Sequence, residues 1–178
     1  MNIPFIVTLV GEDRPGLVNA LAECAAANGA NWLDSSMAHL AGKFAGIVRL
    51  DVAAADADRL EAALRALSSA GLSLSIERGT SAAGAAGGEL IRMELLAHDR
   101  PGIVRDISAV LARHGLSIDA LETACESASM SGEPLFRARA ELAVPAGVGL
   151  AAVRNDLEAL ANELMVDLDF EEVSEPAG

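Results

Sequence analysis

Apolar positions along the chain follow two rhythms, a period of two and a period near 3.6, and the order of the rhythms occurs twice. Ile91, Met93 and Leu95 alternate with Arg92 and Glu94, the pattern of a strand with one buried face. Ile103, Ile107, Val110, Leu111 and His114 then recur at helical spacing, as Leu17, Leu21, Cys24, Ala25 and Asn28 do upstream, so each half carries an amphipathic helix. Gly29 and Gly115 suit the C-terminal caps of these helices. Two strands follow in each half, 31–40 with 45–52 and 117–126 with 135–144, and both pairs read as hairpins. Phe136, Ala138, Ala140, Leu142 and Val144 face inward while Arg137, Arg139 and Glu141 face outward, as in a sheet covered on one side. A second helix is marked by Leu60, Leu64 and Leu67 in the first half and by Leu150, Val153, Leu157, Leu160 and Leu164 in the second. Closing strands are predicted at 72–77 and 166–171, the latter with Val166, Leu168 and Phe170 set against Asp167, Asp169 and Glu171.

The repetition is also literal. Asp13-Arg14-Pro15-Gly16-Leu17-Val18 returns as Asp99-Arg100-Pro101-Gly102-Ile103-Val104, and the same offset of 86 residues pairs Gly29 with Gly115. The predicted fold class is therefore α+β: two tandem ferredoxin-like βαββαβ domains, each an antiparallel four-stranded sheet with both helices on one face. Expected boundaries are 1–79 for the first domain, 80–88 for a linker of Gly, Ala, Ser and Thr that has little to bury, and 89–175 for the second.

Composition narrows the function. With 52% hydrophobic and 22% charged residues the chain can bury a core. A formal charge of −13, one Trp, four Phe and no Tyr oppose nucleic-acid binding, which needs cationic groups for phosphates and aromatic faces for bases. The excess is uneven, with 6 basic and 9 acidic side chains in residues 1–88 against 7 and 17 in residues 89–178. An acidic second half gives solubility and offers a surface to a basic partner. Cys24 and Cys125 stand one in each half, with neither a disulfide framework nor zinc spacing, which fits a reducing compartment. The N-terminus lacks a basic, apolar leader, and no apolar run is long enough to span a bilayer. The expected location is cytoplasmic, with no membrane partner.

The repeated turn carries the candidate chemistry. Pro15 suits a first helical position and Arg14, preceding it, is biased away from helix, so the helix is expected to begin at Pro15. Gly16 lets a ligand approach the backbone, and the unpaired N–H groups of a first helical turn favour an anion such as a carboxylate. Asp13 either caps those N–H groups or meets a ligand ammonium. Asp-Arg-Pro-Gly is also simply a good strand-to-helix turn; its recurrence in register in both halves is what lifts it above that.

On the turn, on the helix ends Asn28-Gly29-Ala30-Asn31-Trp32 and His114-Gly115-Leu116-Ser117-Ile118, and on the βαββαβ order, both halves resemble the ACT domain family, in the tandem arrangement of glycine cleavage system transcriptional repressors. The resemblance implies that a small effector, commonly an amino acid, binds where two such domains meet, between the turn before the first helix and the start of the second strand. It assigns ligand contacts to Asp13, Arg14, Gly16, Leu17, Asn31 and Trp32, and to Asp99, Arg100, Gly102, Ile103 and Ser117. Asn31 matches the asparagine often found there; Ser117 has a shorter reach, so the second site is expected to be the weaker. Trp32 replaces a usual aliphatic residue and either lines the pocket or covers the domain interface.

The other reactive side chains add no catalytic reading. His39, His98 and His114 lie on a strand, a turn and a helix end with no carboxylates at ligand spacing, so no metal site is expected. His114 near a helix C-terminus is favoured by the dipole when charged. Cys24 and Cys125 read as core or interface residues. Asp167, Asp169, Glu171, Glu172 and Glu175 read as a solvated acidic end. No nucleophile with a base and no phosphate loop is present, so neither an enzyme nor a cofactor is expected. The expected function is a non-enzymatic amino-acid sensor acting on transcription or metabolism through a protein partner, with glycine or serine the first effector to try and a homodimer, or a tight pair of the two domains within one chain, the expected assembly. The alternatives are a ligand-free interaction module and a regulatory subunit of a metabolic enzyme.

Overall fold

The structure is a computed structural model describing residues 1–79, 89–127, 133–164 and 167–172. The predicted linker 80–88 and Val166 lie outside the described residues. The chain divides into two compact units, Met1–Ala83 and Gly84–Gly178.

The first unit runs β1 (Asn2–Glu12), α1 (Leu17–Ala27), β2 (Asn31–Leu40), β3 (Lys43–Ala53), α2 (Ala57–Ala66) and β4 (Leu72–Arg78). Its sheet has the order β2-β3-β1-β4, all neighbours antiparallel. Alternation sends Phe5, Val7 and Leu9 of β1 and Val48, Leu50 and Val52 of β3 to one face, where they are buried with Leu17, Leu21 and Ala25 of α1 and Ala57, Leu60 and Leu64 of α2. Each of these side chains contributes roughly 1.5–3 kcal/mol of apolar burial, less for alanine, and among the described residues no polar or charged side chain is buried.

The second unit repeats the plan with β5 (Glu89–His98), α3 (Ile103–Arg113), β6 (Ser117–Ser127), β7 (Pro134–Val144), α4 (Leu150–Leu164) and β8 (Asp167–Glu172), in the order β6-β7-β5-β8. Ile91, Met93, Leu95 and Ala97 meet Ala138, Ala140, Leu142 and Val144 under Ile103, Ile107, Val110, Leu111, Val153 and Leu157. The predicted inward residues described in the structure form the core or, as Phe136, Leu150 and Leu160 do, pack against it, and both units are the βαββαβ arrangement expected from the pattern.

Both first helices end as the glycines predicted. Gly29 and Gly115 have φ of 74° and 73°, and paired bonds close each end: Ala30 N–H to Ala25 C=O at 2.9 Å with Gly29 N–H to Ala26 C=O at 3.1 Å, and Leu116 N–H to Leu111 C=O at 3.1 Å with Gly115 N–H to Ala112 C=O at 3.0 Å. This is the Schellman pattern, which satisfies carbonyls the helix leaves open. A second duplicated detail is invisible to motif matching. The β2–β3 register slips between Trp32 and Asp34, and the β6–β7 register between Ile118 and Ala120, so each second strand carries a bulge two residues after its start.

The β2–β3 hairpin turns on Ala41 and Gly42, with φ of 49° and 76°. Two positive φ values are the demand of a type I′ turn, and alanine meets it poorly. Ala41→Gly is expected to stabilise the first unit by about 0.5–1 kcal/mol, read as a raised denaturant midpoint at unchanged slope. A lowered midpoint would show that the left-handed conformation carries no strain.

The outer sheet faces differ. In the second unit Arg92 lies 3.6 Å from Glu141 and 3.9 Å from Glu171, Arg139 3.0 Å from Glu94, and Arg137 3.5 Å from Glu126. The corresponding middle of the first unit's face is uncharged: register aligns Ser75, Thr8, Ile47 and Ser36 in one row and Ser73, Val10, Ala45 and Ala38 in the next. Ile47 and Val10 are nearly half exposed there.

Candidate functional site

The turn after β1 is built around a left-handed glycine. Gly16 is the N-cap of α1, with φ 92° and ψ −2°, and Gly102 repeats it before α3 with φ 98° and ψ −4°. The helices therefore start at Leu17 and Ile103, two residues later than the expectation from Pro15, because prolines 15 and 101 sit in the turn and the chain enters the helix only after the left-handed step. Glycine is favoured at positions 16 and 102 by that backbone conformation. The first ladder bonds are Ala20 N–H to Gly16 C=O and Asp106 N–H to Gly102 C=O, each 2.9 Å.

Neither turn aspartate caps its helix. Asp13 leans toward β2, where its Oδ2 lies 3.6 Å from Nε2 of His39, and its backbone N–H donates to Gly42 C=O at 3.1 Å. Arg14 turns the other way, its Nη2 passing 3.5 Å from where a Cβ on Gly71 would stand. The two side chains thus separate toward opposite edges of the sheet, and the N–H groups of the first turn of α1 receive no side-chain cap from Gly16. Leu17 and Ile103 are buried, so they offer an effector only their backbone N–H.

The second turn is furnished differently. Asp99 donates its N–H to Pro134 C=O at 3.0 Å, as Asp13 does to Gly42, but Arg100 reaches Asp106 Oδ2 at 3.3 Å, and Arg105 holds Asp106 Oδ1 at 2.9 and 2.7 Å. The first unit has Ala20 where Asp106 stands and Asn19 where Arg105 stands. Hydrogen bonding from Arg105, together with its charge and that of Arg100, holds the Asp106 carboxyl below its ordinary value of 3.8. A depressed folded-state value contributes stability above the ordinary pKa that disappears as pH falls through the lowered one. Asp106→Asn is accordingly expected to flatten the decline in second-unit stability below about pH 4, measured by urea unfolding at several pH values; an unchanged acid limb would show that the cluster is electrostatically idle.

Asn31 and Ser117 are exposed at the starts of β2 and β6. They do not join the turn of their own unit. Asn31 aligns with Asp51 and Leu40 with Lys43, which in turn aligns with Glu12 beside the turn; eight residues of β3 at about 3.3 Å each separate the two ends by roughly 26 Å. Trp32 is half-buried against the first unit's own core, while Ile118, its counterpart, is 40% exposed.

Partners of the histidines come from afar in sequence, which is why spacing did not reveal them. His39 faces Asp13, His98 Nδ1 lies 3.6 Å from Glu133, and His114 Nε2 lies 2.9 Å from Asp156 of α4. The last pair ties α3 to α4, a role beyond the helix-end dipole. Cys24 is partly buried, which raises its thiol pKa, and Cys125 is exposed on the edge strand β6, so of the two places expected for Cys125, core or interface, the core is excluded. Among the described residues no three His, Cys, Asp or Glu side chains cluster as metal ligands, and no helix is long and apolar enough to cross a membrane.

Two βαββαβ units, each with a left-handed glycine at the head of its first helix, define a tandem ferredoxin-like architecture. The chain belongs to the ACT domain family: ACT domain models match residues 4–77 and 91–141. No curated protein matches it. Among solved structures, an unknown protein from Galdieria sulphuraria is 31% identical over 98% of this chain and 100% of that one, with a TM-score of 0.86. A candidate glycine cleavage system transcriptional repressor shares the fold at 19% identity over 98% and 99% of the two chains, with a TM-score of 0.74.

Proposed function

We propose that this chain is a non-enzymatic sensor of a small amino acid that controls transcription or metabolism through a protein partner. The observation that carries the reading is the uncapped head of α1, with Gly16 presenting backbone N–H groups to a carboxylate and Asp13 beside it for an ammonium. The transcriptional arm draws support from the similar fold of the candidate glycine cleavage system repressor. A formal charge of −13 assigns DNA contact to the partner. Because Asn31 stands at the far end of its own unit, a ligand touching both Asn31 and such a turn takes the turn from another unit, in a homodimer or within the tandem chain. The weaker second site follows from Ser117 and from the Arg100–Asp106 pairing at the head of α3.

A thermal-shift panel of the twenty amino acids, with glycine and serine first, tests the proposal. An effector at 100 times its Kd adds about 2.7 kcal/mol to the fold. Asn31→Ala is expected to remove most of the shift and Ser117→Ala little of it; equal losses would reverse the ranking of the sites. The two uncharged middle rows on the outer face of the first sheet support the second reading, a ligand-free interaction module, and silence across the panel would favour it.

A further inference from the structure

The second unit holds a cleft of about 330 Å³ between the start of α4 and the ends of β5 and β8, away from the turn at the head of α3. Ile91, Leu150, Val153 and Phe170 give it apolar walls, Ala151 and Arg154 stand on its helix side, and Glu171 lies at the strand end. The Arg154 guanidinium sits over the Phe170 ring, 5.5 Å from its centroid. The matching place in the first unit is furnished differently. There Arg78 lies over the Phe5 ring at 5.6 Å and binds Asp58 at 2.5 Å and Glu61 at 2.6 and 2.8 Å. Leu60 and Leu64 of α2 correspond to Val153 and Leu157 of α4 as the buried pair, which sets Ala151 in the place of Asp58 and Arg154 in the place of Glu61. The two acids that bind Arg78 are therefore replaced by a methyl group and a cation.

We propose that this cleft is a ligand site for a small carboxylate with a branched or aromatic apolar body, bound independently of the turn. The reasoning is one of complementary surfaces. Four apolar walls take a body of several carbons, a volume near the lower end of small-molecule pockets accommodates it, and a guanidinium on the rim pairs with a carboxylate through charge-assisted hydrogen bonds. Phe170 holds that guanidinium by its ring face, so it is oriented before a ligand arrives. Ala151 leaves the entrance open.

The test is a titration of the full chain with phenylacetate, 4-methylpentanoate, leucine and acetate, followed by amide NMR shifts at Ala151, Val153 and Phe170. Phenylacetate and 4-methylpentanoate are expected to move these signals saturably, and acetate, which has the head without the body, to bind at least 10-fold more weakly. Leucine against 4-methylpentanoate separates an amino acid from the free acid; the tighter of the two names the source. Arg154→Gln should weaken binding by about 10-fold or more. Ala151→Trp should abolish it by filling the entrance, and both positions are exposed, so the fold is retained. Asn31→Ala should change nothing here, which keeps the outcome separate from that of the sensor reading. No saturable shift by about 10 mM ligand, equal binding of acetate, or affinities unaltered in both cleft variants would overturn the proposal.

Discussion

Phe5→Ala is expected to destabilise the first unit by about 3–5 kcal/mol. Phe5 is fully buried in β1, the strand that pairs with both β3 and β4, and stands directly opposite Leu50, which is equally buried. Truncation removes the transfer free energy of the ring and leaves a void that the paired strands on either side prevent from collapsing. It also removes the face under the Arg78 guanidinium. For a unit of this size each kcal/mol moves the melting midpoint by roughly 4–8 °C, so calorimetry of the variant reads the effect directly. A loss below about 1 kcal/mol would mean that the sheet relaxes around position 5 and that the packing described for β1 is wrong.

The second large effect is expected at the turn. Gly16→Val should cost at least about 2 kcal/mol, since a left-handed conformation costs an ordinary L-residue about 1–2 kcal/mol and a β-branched one more. Space is not the reason: a Cβ on Gly16 would have no atom within 4 Å. Gly16→Asn, whose side chain tolerates this conformation, should lose markedly less than Gly16→Val in denaturant unfolding. Equal losses in the two variants would place the cost in contacts and not in the backbone. At Gly102 the same comparison adds a crowding effect, because a Cβ there would meet Arg105 Nη2 at 3.2 Å.

Both results concern features that the amino-acid pattern exposes to different degrees. Core strands announce themselves by alternation, as Ile91, Met93 and Leu95 do, and the hairpin strand bounds follow to within two residues, whereas β6 is exposed along its whole length. The helix starts are displaced because Pro15 has two acceptable places, in the turn or at the first helical position, and only the φ of Gly16 chooses. Ion pairs were illegible for a different reason. Asp13 and His39 are separated in sequence by α1 and most of β2, and the sheet brings them together; Arg100 and Asp106 are near neighbours, but the absence of such a pair in the first unit is read only when the two turns are laid side by side. The cleft beside Arg154 is likewise a comparison, a charge exchange between equivalent positions that single-residue reading passes over. The candidate effector contacts were legible as a duplicated motif, whereas their division between opposite ends of one sheet depends on strand register.

The duplicated bulge has a consequence for how β2 and β6 present their side chains. A strand is a binary tape, odd positions to one face and even to the other, and one extra residue advances its phase by a step. Trp32 and Met37, five apart, are thereby both brought against the first unit's core, although strict alternation would put them on opposite faces. Leu33 and Asp119 are the frame-shifting residues, at the same offset of 86. Each second strand consequently reads in one frame at its first two residues and in the other for the rest of its length, so the exposed start that carries Asn31 or Ser117 is oriented separately from the sheet that supports it.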